Sequence, residues 1–325
     1  MLQLQCSKRR IKQLWLNIKN KLSAAAVFLV MCFTLVMSGY DSMTSVGATG
    51  GTDYVKYTYA TGTQETYNLP EIPVDQNITA MTARAMSDYV DPRPNADLDT
   101  AVVSLYFYTY NDNNVVCTAG TGFIIGDHEI MTAAHCAYNF SDSATVTIPN
   151  ANPYTSEAIT FNVVAAHVPQ AYINYETINN IPGLCSQDVD YAILTVSEDL
   201  SQYGSFLLGM GTSSIKGKSV PIHCMGYQGN ELKISNGLII NINNIGISNN
   251  YETNLYSYYQ TSGSPIYTES YFGVPNTTNE DYVLKRYRTA ISLVSTSYND
   301  NNGSHTYGII IGSEILQFAY SNNYL

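Results

Sequence analysis

Three short stretches of this chain carry residue types that can perform nucleophilic chemistry. They are Thr132-Ala133-Ala134-His135-Cys136, Asp190-Tyr191-Ala192-Ile193-Leu194 and Thr261-Ser262-Gly263-Ser264-Pro265. A serine hydroxyl becomes a strong nucleophile only when a base accepts its proton, and a histidine base needs an acceptor that fixes its tautomer. Their order along the chain therefore predicts acyl transfer, with His135 as the base, Asp190 as its orienting group and Ser262 as the nucleophile.

Each of the three motifs also has a purely structural interpretation when it is taken alone. His135 could be a core histidine, Asp190 could cap a turn at the end of a strand, and Ser-Gly-Ser-Pro could be an ordinary loop. Within that loop Gly263 permits an unusual backbone and Pro265 ends the turn. The joint occurrence of the three motifs in one β-rich chain favours the chemical interpretation.

The elements that must position these residues are short and mostly of strand length. From about Ala101 onward, apolar runs rich in Val, Ile, Thr and Tyr alternate with Asn, Asp, Gly and Ser. This texture predicts an all-β barrel or sandwich. Helical periodicity at Ser313–Tyr320 predicts one short helix at the C-terminal end.

The first 40 residues form a separate unit. Six basic residues precede an uncharged apolar run from Leu22 to Met37. This pattern predicts a secretory signal over residues 1–40, and the alternative is an uncleaved membrane anchor, which needs about 20 apolar residues. Residues 41–85 are rich in Thr, Gly, Ser and Ala and predict a spacer or pro-segment without a core. The main domain then covers residues 86–325.

Charge and compartment exclude several function classes. Without residues 1–40 the chain carries 9 basic and 26 acidic residues, a net charge of −17. Nucleic-acid binding depends on basic patches, so we expect no nucleic-acid partner. We expect a secreted monomer that keeps no stable membrane association after signal removal, with attachment to the cell surface as the alternative.

Four cysteines lie outside the N-terminal unit. They are Cys117, Cys136, Cys185 and Cys224. In an exported chain this number predicts two disulfides, for which three connectivities are possible. A zinc site is the alternative, but the chain has no CxxC or HExxH spacing, and we expect no metal.

On these motifs the chain resembles the chymotrypsin-like serine proteases and, within them, the secreted bacterial glutamyl endopeptidases. Residues 132–136, 190–194 and 261–265 are similar to the family's histidine, aspartate and nucleophile motifs, with Asp188 as the alternative aspartate. Gly226-Tyr227-Gln228-Gly229 resembles a Gly-Tyr-Pro-Gly turn of this branch. The resemblance covers roughly residues 95–325. It implies two antiparallel six-stranded β-barrels with the active site in the cleft between them.

The resemblance also implies an activity and further site residues. It implies a serine endopeptidase that acts on proteins or peptides without a cofactor. The N–H groups of Gln260 and Ser262 would form the oxyanion hole, although the family normally has glycine at the first of these positions. The residues that the resemblance assigns to substrate binding are Tyr256, Ser257, Ser292, Val294 and His305.

Substrate preference follows from those pocket residues. The absence of an aspartate at the base of the pocket argues against cleavage after Lys or Arg. Ser292 stands where glutamate-specific relatives have a histidine, and it would pair with the substrate backbone. His305 is then the candidate cation for an acidic substrate side chain. The alternatives are a catalytically inactive homologue that binds an extracellular ligand and an adhesive surface protein.

The resemblance further implies disulfides and activation by proteolysis. It joins Cys117 to Cys136, which would brace the loop of His135, and it leaves Cys185 and Cys224 as the second pair. The family is made as a zymogen. Arg84 is the only basic residue between Lys56 and Arg93, and cleavage after it would make Ala85 a new N-terminus.

Overall fold

A computed structural model describes residues 53–68, 100–111, 114–138, 141–149, 157–179, 189–209, 211, 221–229, 231–245, 248–257, 260–275, 282–300 and 303–321. The predicted signal segment, Arg84 and Cys185 lie outside these ranges. Within them the chain is mostly β, and its strands form two large sheets. The predicted all-β class is confirmed.

The first sheet contains a closed barrel. Its strands are β1 (Asp53–Thr58), β2 (Thr63–Asn68), β3 (Val102–Asn111), β4 (Asn114–Ile124), β5 (Glu129–Thr132), β6 (Ser143–Ile148), β7 (Ile159–Pro169) and β8 (Ala192–Val196). They are ordered β2-β1-β7-β6-β3-β4-β5-β8, and an additional pairing joins β7 to β8. Strands β3 to β8 therefore close into a six-stranded barrel, which leaves no open edge in the ring.

The second sheet is curled. Its strands are β9 (Leu207–Leu208), β10 (Ile222–Gln228), β11 (Glu231–Gly237), β12 (Ile239–Ile245), β13 (Ser248–Thr253), β14 (Pro265–Pro275), β15 (Tyr282–Asp300) and β16 (Gly303–Ile310). The order is β11-β10-β14-β15-β16-β13-β12, and β9 adds to β15 in parallel. Among the described residues this sheet is an open half-barrel, whereas the first is closed.

Three α-helices connect or flank the described strands. They are α1 (Ala134–Ala137), α2 (Gln170–Asn179) and α3 (Ser313–Ser321). Helix α3 matches the predicted terminal helix, and it buries Ile315, Leu316, Phe318 and Ala319 on one face, which is the spacing of an amphipathic helix. No helix in the described part of the chain is long and apolar enough to cross a membrane.

The hairpin of β1 and β2 corrects the prediction for residues 41–85. Tyr54 is 1% exposed, its ring stacks on Phe318 at 4.1 Å between centroids, and its hydroxyl is 2.7 Å from the Tyr191 hydroxyl. Strand β1 also pairs with β7 from Tyr54 to Thr58. The prediction of a segment without a core is therefore wrong for residues 53–68. Adjacent Tyr54 and Val55 are both buried, so the strand shows no alternation that a sequence pattern could reveal.

Candidate active site

Strand pairing brings His135 and Asp190 together. Strand β5 ends at Thr132 and α1 begins two residues later, while Asp190 lies just before β8. Because Thr132 pairs with Ala192, the residues that follow β5 meet those that precede β8. The backbone N–H of His135 donates to Asp190 Oδ1 at 2.8 Å, and His135 Nδ1 lies 2.9 Å from Oδ2. Asp190 therefore fixes both the backbone and the ring of His135.

A serine that the sequence analysis missed completes the environment of Asp190. Asp190 is fully buried, and Ser295 Oγ donates to its Oδ2 at 2.5 Å. A buried carboxylate is costly unless several donors stabilise it. Ser295 comes from β15 of the second sheet, where the register against β16 shifts between Val294 and Thr296. A β-bulge changes the direction in which a side chain leaves its strand, and here it turns Ser295 towards the first barrel.

The carboxylate governs the protonation of His135. Burial of the imidazole favours its neutral form and by itself lowers the pKa. The charge of Asp190 and its hydrogen bond to Nδ1 outweigh burial, so the pKa of His135 lies well above its usual value of 6.5. An imidazolium is therefore well stabilised at this position, which is what a base needs after it has accepted a proton.

The turn that contains Ser262 is fixed to both sheets. The carbonyl of Ser262 accepts from the N–H of Thr121 at 2.9 Å, and the N–H of Gly263 donates to the carbonyl of Val294 at 2.7 Å. Gly263 has φ +83°, and a Cβ there would lie 2.3 Å from the carbonyl oxygen of Thr121. Only glycine combines this backbone with so close an approach. The turn thereby seats Ser262 against β4 of the closed barrel.

The histidine loop and the serine turn meet at Gly120. A Cβ built on Gly120 would lie 2.8 Å from Cys136 Sγ and 3.5 Å from the carbonyl oxygen of Ser262. In the described part of the chain the His135 side chain hydrogen-bonds to Asp190 and not to Ser262. The bond between nucleophile and base is often long without substrate and tightens when substrate binds. The structure thus places His135, Asp190 and Ser262 in one region, and a hydrogen bond joins the side chains of His135 and Asp190.

Gln260 has an unusual backbone for a residue with a side chain. Its φ is +77°, and it is the only non-glycine residue with positive φ among those described. Its carbonyl accepts from Thr121 Oγ1 at 2.9 Å, and its side-chain Oε1 accepts from the N–H of Gly229 at 2.6 Å. Gln260 therefore adopts the left-handed region that glycine favours.

Two of the predicted pocket residues, Ser292 and Val294, are buried on β15. Ser292 is fully buried, and a Cβ on Gly308 would lie 2.3 Å from its hydroxyl oxygen. Its side chain therefore points at β16 inside the second sheet, and the pairing of Ser292 with the substrate backbone stays a prediction. Val294 is 2% exposed, and its backbone forms hydrogen bonds to Gly263 and Ser264 of the serine turn.

Of the other predicted pocket residues, Tyr256 and His305 lie nearer the surface, whereas Ser257 is buried. Tyr256 is 48% exposed, and the Ser257 hydroxyl has no hydrogen-bond partner among the described residues. His305 Nδ1 lies 3.0 Å from Glu252 Oε1, and both side chains are 18% exposed. A carboxylate of the protein thus already faces the candidate cation.

The predicted bridge between Cys117 and Cys136 is absent, and both residues are free thiols. Cys117 is exposed, whereas Gly120 is the residue of β4 that faces Cys136. Three residues along a strand span about 10 Å, and an odd step places side chains on opposite faces, so Cys117 cannot reach. Cys224 is a buried thiol, and desolvation raises its pKa to about 12. Its predicted partner Cys185 lies outside the described residues.

Comparison with known families and structures adds one direct match. Residues 120–271 match the family model of the trypsin-like peptidase domain. This range begins at Gly120 on β4 and ends within β14, so it includes His135, Asp190 and Ser262. No curated protein sequence matches the chain.

Solved structures show weaker similarity. A Glu endopeptidase in complex with MPD is 16% identical with a TM-score of 0.49, and the match covers 72% of this chain and 95% of that one. Deg5 is 15% identical with a TM-score of 0.40, covering 66% and 84%. The HtrA-type protease AlgW with a decapeptide is 12% identical with a TM-score of 0.43, covering 75% and 67%. Identities this low do not assign a function.

Proposed function

We propose that this protein is a serine endopeptidase that hydrolyses peptide bonds through His135, Asp190 and Ser262. The observation that carries the proposal is the buried Asp190, which binds the backbone and the ring of His135 while Ser262 is held beside that loop by Thr121. The match of residues 120–271 to the trypsin-like peptidase domain supports the same function.

The proposed reaction proceeds through an acyl-enzyme. Ser262 Oγ attacks the carbonyl carbon of the scissile bond, and its proton passes to Nε2 of His135. Asp190 accepts the hydrogen bond of Nδ1–H and stabilises the imidazolium. The N–H groups of Gln260 and Ser262 donate to the oxyanion. The C–N bond then breaks, His135 gives its proton to the leaving amine, and water hydrolyses the ester in the same way.

Preference for acidic residues before the scissile bond is a second, separable part of the proposal. His305 is the cation that supports it. Because Glu252 lies 3.0 Å from His305, a substrate carboxylate must compete with this partner for the imidazole. The substitution Glu252→Gln would therefore strengthen the preference for acidic residues, whereas His305→Asn would remove it.

Export and processing belong to the proposal as well. Cleavage after Arg84 would separate the β1–β2 hairpin from the rest of the chain covalently, but the pairing of β1 with β7 would keep it attached. We expect the secreted protein to purify as two associated fragments, the second of which begins at Ala85. A secreted protein that starts elsewhere by N-terminal sequencing would contradict this site.

The second candidate function is an inactive homologue that binds an extracellular peptide. The observation that favours it is the absence of a hydrogen bond between His135 and Ser262 in the described residues. Such a protein would need the cleft but not the nucleophile, so Ser262→Ala would leave binding intact.

Digestion of a peptide library by the mature secreted protein distinguishes these functions. We expect cleavage by the wild type and by Ser264→Ala, and none by Ser262→Ala. Ser264 is a matched control because it lies in the same turn with its side chain fully buried. An uncleaved library, or cleavage that survives Ser262→Ala, would refute the proposed function. The residues found before the cleaved bonds measure the acidic preference directly.

A further inference from the structure

The residue two positions before the nucleophile poses a physical problem. In the proposed reaction its N–H donates to the developing oxyanion, and Gln260 has a left-handed backbone with φ +77°. This region is unfavourable for any residue with a Cβ, and only glycine enters it freely. Something in the structure must therefore hold Gln260 in a conformation that its own backbone disfavours.

The contacts of Gln260 supply that restraint from two sides. Its side-chain Oε1 accepts from the N–H of Gly229, in the turn that joins β10 to β11, at 2.6 Å. Its carbonyl accepts from Thr121 Oγ1 at 2.9 Å, and the same oxygen of Thr121 accepts from the N–H of Tyr227 at 2.9 Å. The backbone and side chain of Gln260 are thus both tied to neighbours of the serine turn.

The β10–β11 turn is itself shaped to meet this part of the chain. Gly229 has φ +62°, which presents its N–H to the glutamine amide. Gly226 lies where a Cβ would be 2.1 Å from Ser264 Oγ, so β10 approaches the serine turn more closely than a side chain would permit. The acceptor on Gln260 and the donor on Gly229 therefore sit on two segments that are already in contact.

We propose that the Gln260 side chain is a positioning residue for the oxyanion hole, acting as a brace between the nucleophile turn and Gly229. The brace replaces the conformational freedom of glycine with a hydrogen bond that selects the left-handed state. It makes the N–H of Gly229, which lies outside the nucleophile turn, part of the machinery that stabilises the transition state. This inference rests on the proposed peptidase function.

A brace of this kind has a specific kinetic signature. The oxyanion exists in the transition state and not in the bound substrate, so a misplaced N–H lowers kcat and leaves KM nearly unchanged. Gln260→Met keeps the length of the side chain but removes the acceptor. Gln260→Gly also removes the acceptor, but it restores free access to the left-handed region. The brace therefore predicts that Gln260→Met lowers kcat more than Gln260→Gly does, although methionine is closer to glutamine in shape.

The test measures kcat and KM of these two variants on a peptide cleaved by the wild type. We expect Gln260→Met to lower kcat about 10-fold, which corresponds to about 1.4 kcal/mol, with KM within about twofold. We expect Gln260→Gly to be at least about threefold more active than Gln260→Met. Gln228→Met is the matched control, because Gln228 is an exposed glutamine at the end of β10, directly before Gly229. The kcat of this variant should equal that of the wild type.

Thr121 gives a second, independent pair of variants. Thr121→Val removes the hydroxyl at constant shape, and Thr121→Ser retains it, so we expect kcat to fall in the first and to recover in the second. Thermal unfolding of each variant shows that the protein measured is folded. A Gln260→Met enzyme as active as the wild type, or a Gln260→Gly enzyme no better than Gln260→Met, would overturn the brace. A wild type that neither cleaves peptides nor reacts with a fluorophosphonate would instead overturn the peptidase function and the brace with it.

Discussion

A new disulfide at Gly120 tests how β4 and the histidine loop are placed. A Cβ on Gly120 would lie 3.5 Å from the Cβ of Cys136, within the 3.5–4.5 Å that disulfides require. The same Cβ would lie 2.8 Å from Cys136 Sγ, which is too close for an unbonded side chain. Gly120→Cys should therefore form a bridge with Cys136 that Cys117 cannot form.

The size of the effect follows from the loop that the bridge closes. Residues 120 and 136 bound a loop of about 15 residues, for which closure is expected to stabilise the folded state by about 3 kcal/mol. We expect equilibrium unfolding in urea to show this gain for oxidised Gly120→Cys relative to the wild type. The gain should disappear with reductant, because the reduced side chain is crowded by the Cys136 thiol.

The matched control is Gly120→Ala, which adds the Cβ without the bond. It should be less stable than the wild type with or without reductant. Peptide mapping without reduction identifies the linked cysteines. A variant that stays reduced in air, or an oxidised variant that gains no stability, would refute the packing of Cys136 on Gly120. Linkage of Cys117 to Cys136 would show that the register of β4 is different.

Three further predictions concern the carboxylate and the hairpin. Because Asp190 raises the pKa of His135, kcat/KM should increase with pH through a midpoint above 6.5, and Asp190→Asn should lower kcat about 10⁴-fold. Ser295→Ala removes a hydrogen bond to a buried charge, so urea unfolding should show a loss of about 2 kcal/mol. Tyr54→Ala should cost about 3–5 kcal/mol in the same measurement, because it empties a buried ring site and removes the hydroxyl partner of Tyr191.

Controls separate these effects from general damage. In Asp190→Asn the pKa of His135 should be lower than in the wild type, as measured by NMR of the His135 ring. An unchanged pKa of His135 would contradict its charge coupling to Asp190. Ser297→Ala alters an exposed serine on the same strand and should leave stability unchanged. Equal stability of Ser295→Ala and Ser297→Ala would contradict the bond to Asp190. If Tyr54→Ala is as stable as the wild type, the packing of the β1–β2 hairpin on the barrel would be contradicted.

The sequence could predict those parts of the site that depend on neighbours along the chain. The histidine and serine motifs carry their own turn chemistry, such as Gly263, whose positive φ and close contact exclude any side chain. The paired strands β5 and β8 are apolar runs directly joined to His135 and Asp190, so their apposition follows once a barrel forms. The all-β class follows from strand-length runs.

What the sequence could not predict depends on register and on distant contacts. Ser295 reaches Asp190 because of a bulge in β15, and no local sequence signal marks that bulge or the bond across it. The resemblance pairs Cys136 with Cys117, whereas the structure packs Cys136 against Gly120, three residues further along β4. Glycine and cysteine are equally compatible with the strand pattern there. The contacts of Tyr54 with Tyr191 and Phe318 join segments more than 130 residues apart.

Covalent labelling of Ser262 tests the central claim most directly. The mature protein is incubated with a fluorophosphonate, which reacts only with a serine that an adjacent base activates, and the modified peptide is identified by mass spectrometry. We predict one adduct, on Ser262, that is lost in Ser262→Ala and in His135→Ala. A folded protein that remains unlabelled, or an adduct that persists without His135, would contradict the account.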